Sequence, residues 1–144
     1  MKRFLAAKMR KMTQKDPIFE LCDTVRETSF ALHKFLRHGL KEKIYENGLV
    51  HRLRKLGIQV KQQPSLNVYD EDGTLLGDLD VDLLVADDLI IELKAVKTLL
   101  PEHVAQLLGY LRASRKEHGL LINFGSPVLQ IKKYALSRDL DRPS

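Results

Sequence analysis

Asp82, Glu92 and Lys94 are the residues of this chain whose types and spacing best suit chemistry. They lie in the stretch Asp80-Val81-Asp82-Leu83-Leu84-Val85-Ala86-Asp87-Asp88-Leu89-Ile90-Ile91-Glu92-Leu93-Lys94, which reads as two apolar strands joined by a tight acidic turn. The turn centres near Asp87, about midway between Asp82 and Glu92, so a hairpin sets the two carboxylates roughly opposite one another. Glu92 and Lys94 share a face of their strand. Ionised groups inside apolar strands are costly unless they are paired or bind a metal. Two carboxylates supply hard oxygen ligands for Mg²⁺, which takes one or two of them together with waters and a substrate phosphate. A metal so held acidifies a water and offsets charge on a phosphodiester, and a neighbouring lysine orients that water. The competing reading is a buried salt bridge of Lys94 with Glu92 or Asp82, and the two strands alone leave it open.

Other chemistries have less support. His33, His38, His51, His103 and His118 show no spacing to a nucleophilic serine, and no Cys/His cluster suits zinc. No glycine-rich phosphate loop is present. The length of 144 residues, with 44% hydrophobic and 30% charged, fits one domain with one sizeable core. No apolar run approaches the roughly 20 residues that cross a membrane, so no membrane partner is expected. Cys22 is the only cysteine, which excludes an internal disulfide and suits a cytoplasmic setting. The net charge of +5 is concentrated at the start, where Lys2, Arg3, Lys8, Arg10, Lys11 and Lys15 meet no acidic residue. The rest of the chain is close to neutral. Residues 1–16 therefore read as a basic arm that is solvated or touches nucleic acid phosphates, residues 17–137 as the domain, and 138–144 as a polar tail.

The elements that must position the charged trio follow from periodicity. Ile18, Leu21, Cys22, Val25, Ser29, Leu32 and Leu36 recur at helical steps, which predicts a helix over 17–38 capped by Asp16 and ended by Gly39. A second helix is predicted over 41–56, with Tyr45, Leu49, Leu53 and Leu56 as its stripe and Gly57 as its cap. Glu42 and Glu46 are four apart and share a face of it, with Glu46 beside the stripe. Both also fit a solvated helix surface. From residue 58 the period becomes alternating, and residues 58–96 read as an antiparallel meander of three strands, interrupted near Pro64 and bent or bulged at Gly77. Pro101 opens a helix to about 116, with Thr98 a candidate cap. Val104, Leu107, Leu108 and Leu111 face the sheet, and His103, Gln106 and Tyr110 line one edge. The glycine-bounded run 119–125 is a buried strand reached by a parallel crossover, and 130–136 suggests an edge strand. The fold class is α/β, with a mixed sheet of about four to five strands flanked by helices.

Asp82, Glu92-Leu93-Lys94 ten residues on, and a glutamate-bearing helix ahead of them resemble the PD-(D/E)XK nuclease superfamily. Gly39-Leu40-Lys41-Glu42-Lys43-Ile44-Tyr45, Ile91 to Val96, Pro101 to Tyr110 and Leu121 to Gly125 resemble its GxxExxY subfamily, over about residues 20–136. The superfamily's naming proline is absent, since Leu79, Asp80 and Val81 precede Asp82. The resemblance implies a restriction-endonuclease-like core and a Mg²⁺-dependent nuclease, with Mn²⁺ an alternative ion and DNA the preferred substrate. It makes Asp82 and Glu92 metal ligands and Lys94 the catalytic lysine. Gln106 and Tyr110 match a glutamine-x-x-x-tyrosine motif that supports the site and the substrate. Glu46 is the favoured third metal-binding carboxylate, by resemblance to the same helix of archaeal Holliday-junction resolvases, and Glu42 of the naming motif is the second choice. The rival reading is a nuclease-like module that binds nucleic acid or a partner protein without cutting. Monomer and homodimer both stay open.

Overall fold

A computed structural model of the chain describes residues 16–136. The expected basic arm, apart from Asp16, and the expected polar tail lie outside the described residues. Helix α1 spans Pro17–Leu36, and the Asp16 side chain accepts from Ile18 N at 3.0 Å. Pro17 has no N–H to satisfy and its φ is already helical, so the two residues together set the start. The helix stops at Leu36, before Gly39, because Arg37 turns to φ 62°. Tyr45 then secures this turn: its hydroxyl donates to Arg37 O and accepts from Leu40 N. Helix α2 spans Glu42–Lys55, and Gly57 follows at φ 81°. Its buried stripe is Tyr45, Glu46, Leu49, Val50 and Leu53. Leu56, expected in that stripe, lies past the last helical turn and is exposed.

The strands are β1 (Val60–Gln62), β2 (Ser65–Tyr69), β3 (Leu75–Asp80), β4 (Leu83–Val85), β5 (Leu89–Lys94), β6 (His118–Asn123) and β7 (Gln130–Ala135). Helix α3, Pro101–Ser114, joins β5 to β6. The main sheet has the order β1-β4-β5-β6-β7, with β5 and β6 parallel and its other pairs antiparallel. The mixed sheet, the crossover and the edge strand are thus as expected. The meander is antiparallel too, but its first hairpin divides between two sheets. Pro64 cannot donate to a ladder and Gln63 takes φ 53°, so the strand breaks there. Beyond the break β2 and β3 pair with each other in a separate two-stranded arm. The expected irregularity at Gly77 is present, where the register shifts between Val68 and Tyr69.

Alternating side chains feed two cores. Leu83, Val85, Leu89, Ile91, Leu93, Leu120 and Ile122 pack with α1 and α2, around Val25, Leu32, Leu49 and Leu53. Tyr45 stacks on Phe124 in this layer, ring centroids 4.9 Å apart. Leu84, Ile90 and Leu121 face the other way, against Leu107 and Leu111 of α3, with Leu66 and Leu79 of the arm alongside. The result is a three-layer α/β/α domain. Helix α3 begins at Pro101 without Thr98: the Leu100 N–H donates to His103 Nδ1 at 3.0 Å, which supplies the cap from inside the helix.

Candidate active site

The register of β4 and β5 pairs Leu83 with Ile91 and Leu84 with Ile90. One step further along that register stand Asp82 and Glu92. Here side chains take over from the backbone ladder. Glu92 Oε1 accepts from Asp82 N at 3.0 Å, and Asp82 Oδ2 accepts from Leu93 N at 2.7 Å. Each carboxylate is therefore pinned by a strand amide beside the other. This occurs at the level where the long hairpin divides: Gln63 N donates to Asp82 O at 2.8 Å, and Val81 N to Pro64 O at 3.3 Å. The β4–β5 ladder ends at Leu83 and Ile91, so Asp82 and Glu92 meet through their side chains at the mouth of the split, while Glu92 stays paired with Leu121 of β6.

Glu92 is only 4% exposed. Burial, and then the charge of Asp82, push its carboxyl up to about 8. Lys94 follows on the same face as β5 ends. Its Nζ donates to Gln106 Oε1 at 3.0 Å, and Gln106 Nε2 donates to the Tyr110 hydroxyl at 3.0 Å. Lys94 is therefore held by an amide from α3 in place of a hydrogen-bonded carboxylate. Its charge still opposes the upward pull on Glu92 and on Glu42. Burial and the negative charge of Glu92 raise the Tyr110 phenol above its usual range. His103, on the same edge of α3, is engaged at the helix start.

Helix α2 approaches from the other side. Glu46 is 2% exposed and lies deeper than Glu42, which is exposed. Its Oε2 accepts from Lys43 Nζ at 2.6 Å and from Gln62 Nε2 at 2.5 Å. Its Oε1 accepts from Gln63 Nε2 at 2.7 Å, and the same amide reaches Asp82 Oδ1 at 3.2 Å. Burial draws the Glu46 carboxyl upward, but the Gln62, Lys43 and Gln63 hydrogen bonds outweigh it and leave Glu46 below its ordinary range. Glu42 shifts the opposite way, raised by burial and then by the Asp82 charge. Glu42 thus feels the Asp82 charge, whereas Glu46 is joined to Asp82 through the Gln63 amide.

Gln62 and Gln63 are the site residues that sequence reasoning did not find. The one signal was the interruption at Pro64, which marks the break but gives the side chain before it no role. Asn123 was likewise missed. It is fully buried at the end of β6: Nδ2 donates to Val96 O and Gln130 Oε1, and Oδ1 accepts from Val96 N and Gly125 N. Gln130 Oε1 in turn accepts from Leu99 N. The pair fixes the segment that carries the chain from Lys94 to α3, and so the distance between Lys94 and Gln106.

The donor set suits a hard divalent cation in part. Asp82 and Glu92 offer hard carboxylate oxygens, enough for Mg²⁺ with waters once the cation displaces the proton of Glu92. The oxygens of Glu46 are already taken by Lys43, Gln62 and Gln63. Among the described residues no group of three His, Cys, Asp or Glu side chains forms a ready-made cage.

The α/β fold thus sets Asp82 at the split of a hairpin and Glu92-Leu93-Lys94 on the next strand of a mixed sheet. The family model of the PD-(D/E)XK nuclease superfamily matches residues 19–134, and the chain belongs to that superfamily. Among solved structures, that of SSO0001 is similar with a TM-score of 0.52 and 18% identity, over 68% of this chain and 52% of that one. An alkaline exonuclease (LHK-Exo) from Laribacter hongkongensis gives a TM-score of 0.47 and 13% identity, over 64% of this chain and 54% of that one. The chain thus spans about half the length of either. No curated protein matches it.

Proposed function

We propose that the chain is a Mg²⁺-dependent nuclease of the GxxExxY subfamily that hydrolyses phosphodiester bonds in DNA, with Mn²⁺ able to replace Mg²⁺. The observation that carries this reading is the reciprocal clasp of Asp82 and Glu92 with Lys94 two residues on. Asp82 and Glu92 would hold the cation, and Glu46 would contribute from α2, directly or through an intervening water. When bound, the cation supplies charge stabilisation and a more acidic water. Lys94 Nζ, steadied by Gln106 Oε1, orients the attacking water and offsets charge on the phosphate oxygens. Gln106 and Tyr110 hold that lysine from α3. Glu42, more exposed and under the influence of the Asp82 charge, would border the cation's approach. The single buried Cys22 suits a reducing cytoplasm. The chain acts as a monomer or a homodimer, which mass in solution separates.

The test is a cleavage panel of plasmid, single-stranded and branched DNA in Mg²⁺ or Mn²⁺. Cleavage by the wild type and none by Asp82→Ala or Lys94→Ala is expected. Cleavage that survives both substitutions refutes the assignment. The saturated oxygens of Glu46 favour a second reading, a nuclease fold that binds nucleic acid or a partner protein without cutting. Binding without cleavage in any metal, and no calorimetric signal for Mn²⁺, would select it.

A further inference from the structure

Helix α2 carries a second polar face that none of these roles uses. Asn47, His51, Arg54 and Lys55 recur at three and four residue steps and so line one side of the helix, beside the buried Val50. Together with Gln62 of the edge strand β1 they line a shallow, wide-open cavity of about 480 Å³. Its lining is unusual in its donors: an imidazole, a guanidinium, an ammonium and two amides, with no carboxylate. Basic residues in a last helical turn also complement the helix C-terminus. That effect needs neither the concavity nor the amides of Asn47 and Gln62. Arg54 spends one donor on Val60 O at 2.7 Å, which fixes its guanidinium against β1 and leaves its other N–H groups to face outward.

Hydrogen bonds through Gln62 link the cavity to the candidate active site. Gln62 Nε2 donates to Asn47 Oδ1 at 2.7 Å on the cavity side and to Glu46 Oε2 at 2.5 Å on the site side. Glu46 connects through Gln63 to Asp82. Arg54 lies eight residues beyond Glu46 on the same helix, about 12 Å along the axis at 1.5 Å per residue. That distance is a few nucleotides of backbone, at about 3.4 Å per nucleotide along a duplex axis and more along an extended strand.

We infer that the His51–Arg54–Lys55 cavity is a phosphate subsite, which holds the nucleic acid backbone a few nucleotides from the bond presented to Asp82 and Glu92. The inference rests on the nuclease reading for its substrate. The subsite sets the direction of the strand across α2 and supplies basic character that the near-neutral body otherwise lacks. It reads backbone charge and carries no base specificity.

The test measures binding of a fluorescent 20-nucleotide single strand by anisotropy, without divalent cation, at 50 and 200 mM salt. The proteins are full-length wild type, Lys55→Glu, the pair His51→Ala/Lys55→Glu, and Lys132→Glu on exposed β7 as a remote charge reversal. For the double variant the expectation is at least tenfold weaker binding and a salt slope smaller by about one. Lys55→Glu should take part of that loss, and Lys132→Glu less than twofold. Unchanged affinity and slope in the double variant overturn the subsite, as does an equal loss in Lys132→Glu, which would reduce it to overall charge. Wild type that binds no strand also overturns it. The assay needs no turnover: a chain that never cleaves yet shows the expected pattern keeps the subsite and loses the nuclease, and one that cleaves with His51 and Lys55 indifferent does the reverse.

Discussion

Glu92 holds its proton to about pH 8, whereas an ordinary glutamate loses it near 4.5. Between those values the folded chain binds more protons than the unfolded one, so stability falls as pH rises through the window. The expected result is a metal-free melting temperature that is lower at pH 8.5 than at pH 5.5. Glu92→Gln should flatten that dependence, and a wild-type profile already flat would refute the assignment of the shift. Mg²⁺ or Mn²⁺ should raise the melting temperature more at pH 8.5 than at pH 5.5, since binding only the ionised pair stabilises by mass action. Gln63 separates two contributions in a different way. Its φ of 53° suits glycine, while its amide joins Glu46 to Asp82. Gln63→Gly should keep the fold and lose roughly 10–100-fold in cleavage, as expected for a group that orients metal ligands. Gln63→Val puts a branched Cβ at positive φ and should cost a further 1–2 kcal/mol or so in urea unfolding. Equal cleavage by wild type and Gln63→Gly would remove Gln63 from the site.

At the scale of elements, the turn between β5 and α3 is held by the Asn123 and Gln130 amides. Asn123→Ala takes these hydrogen bonds from the half-buried Val96 and Gly125 backbone groups, and about 1–3 kcal/mol of unfolding stability should be lost. Cleavage should fall with it, because Lys94 and Gln106 are carried on the two sides of that turn. Gly125→Ala should act in the same direction, since an added Cβ would meet the backbone of Ala95 and Val96. If Asn123→Ala melts like wild type, the turn is held by other contacts. Alternation made the strands legible in the sequence, and the turn at Asp87 gave the register that sets Asp82 across from Glu92. What could not be read was how a proline divides one hairpin between two sheets. Periodicity reports the face a side chain points to, not the strand it will pair with after a break. Gln62, Gln63 and Asn123 were missed for the same reason: an amide has no periodic signature, and its value lies in contacts that exist only once distant segments meet.

At the scale of the molecule, α2 and α3 reach the carboxylates from opposite sides of the sheet. The third carboxylate, left open by the sequence between Glu42 and Glu46, lies on α2 in either case. The burial of Glu46 and its tie through Gln63 favour that residue. Glu46→Gln should therefore reduce cleavage more than Glu42→Gln, by about tenfold, in the Mg²⁺ panel. The reverse order would give the role to Glu42. The divided hairpin has another consequence. Its arm ends in the exposed turn Asp70-Glu71-Asp72-Gly73, far along the chain from the burial of either core. A chain opened between Asp72 and Gly73 yields one piece with Glu46, Gln62 and Gln63 and another with Asp82, Glu92, Lys94 and Gln106. Neither piece alone holds the complete set. The rungs between β1 and β4 and between β2 and β3 would be the seam that rejoins them, so restored cleavage would report the two fragments finding each other.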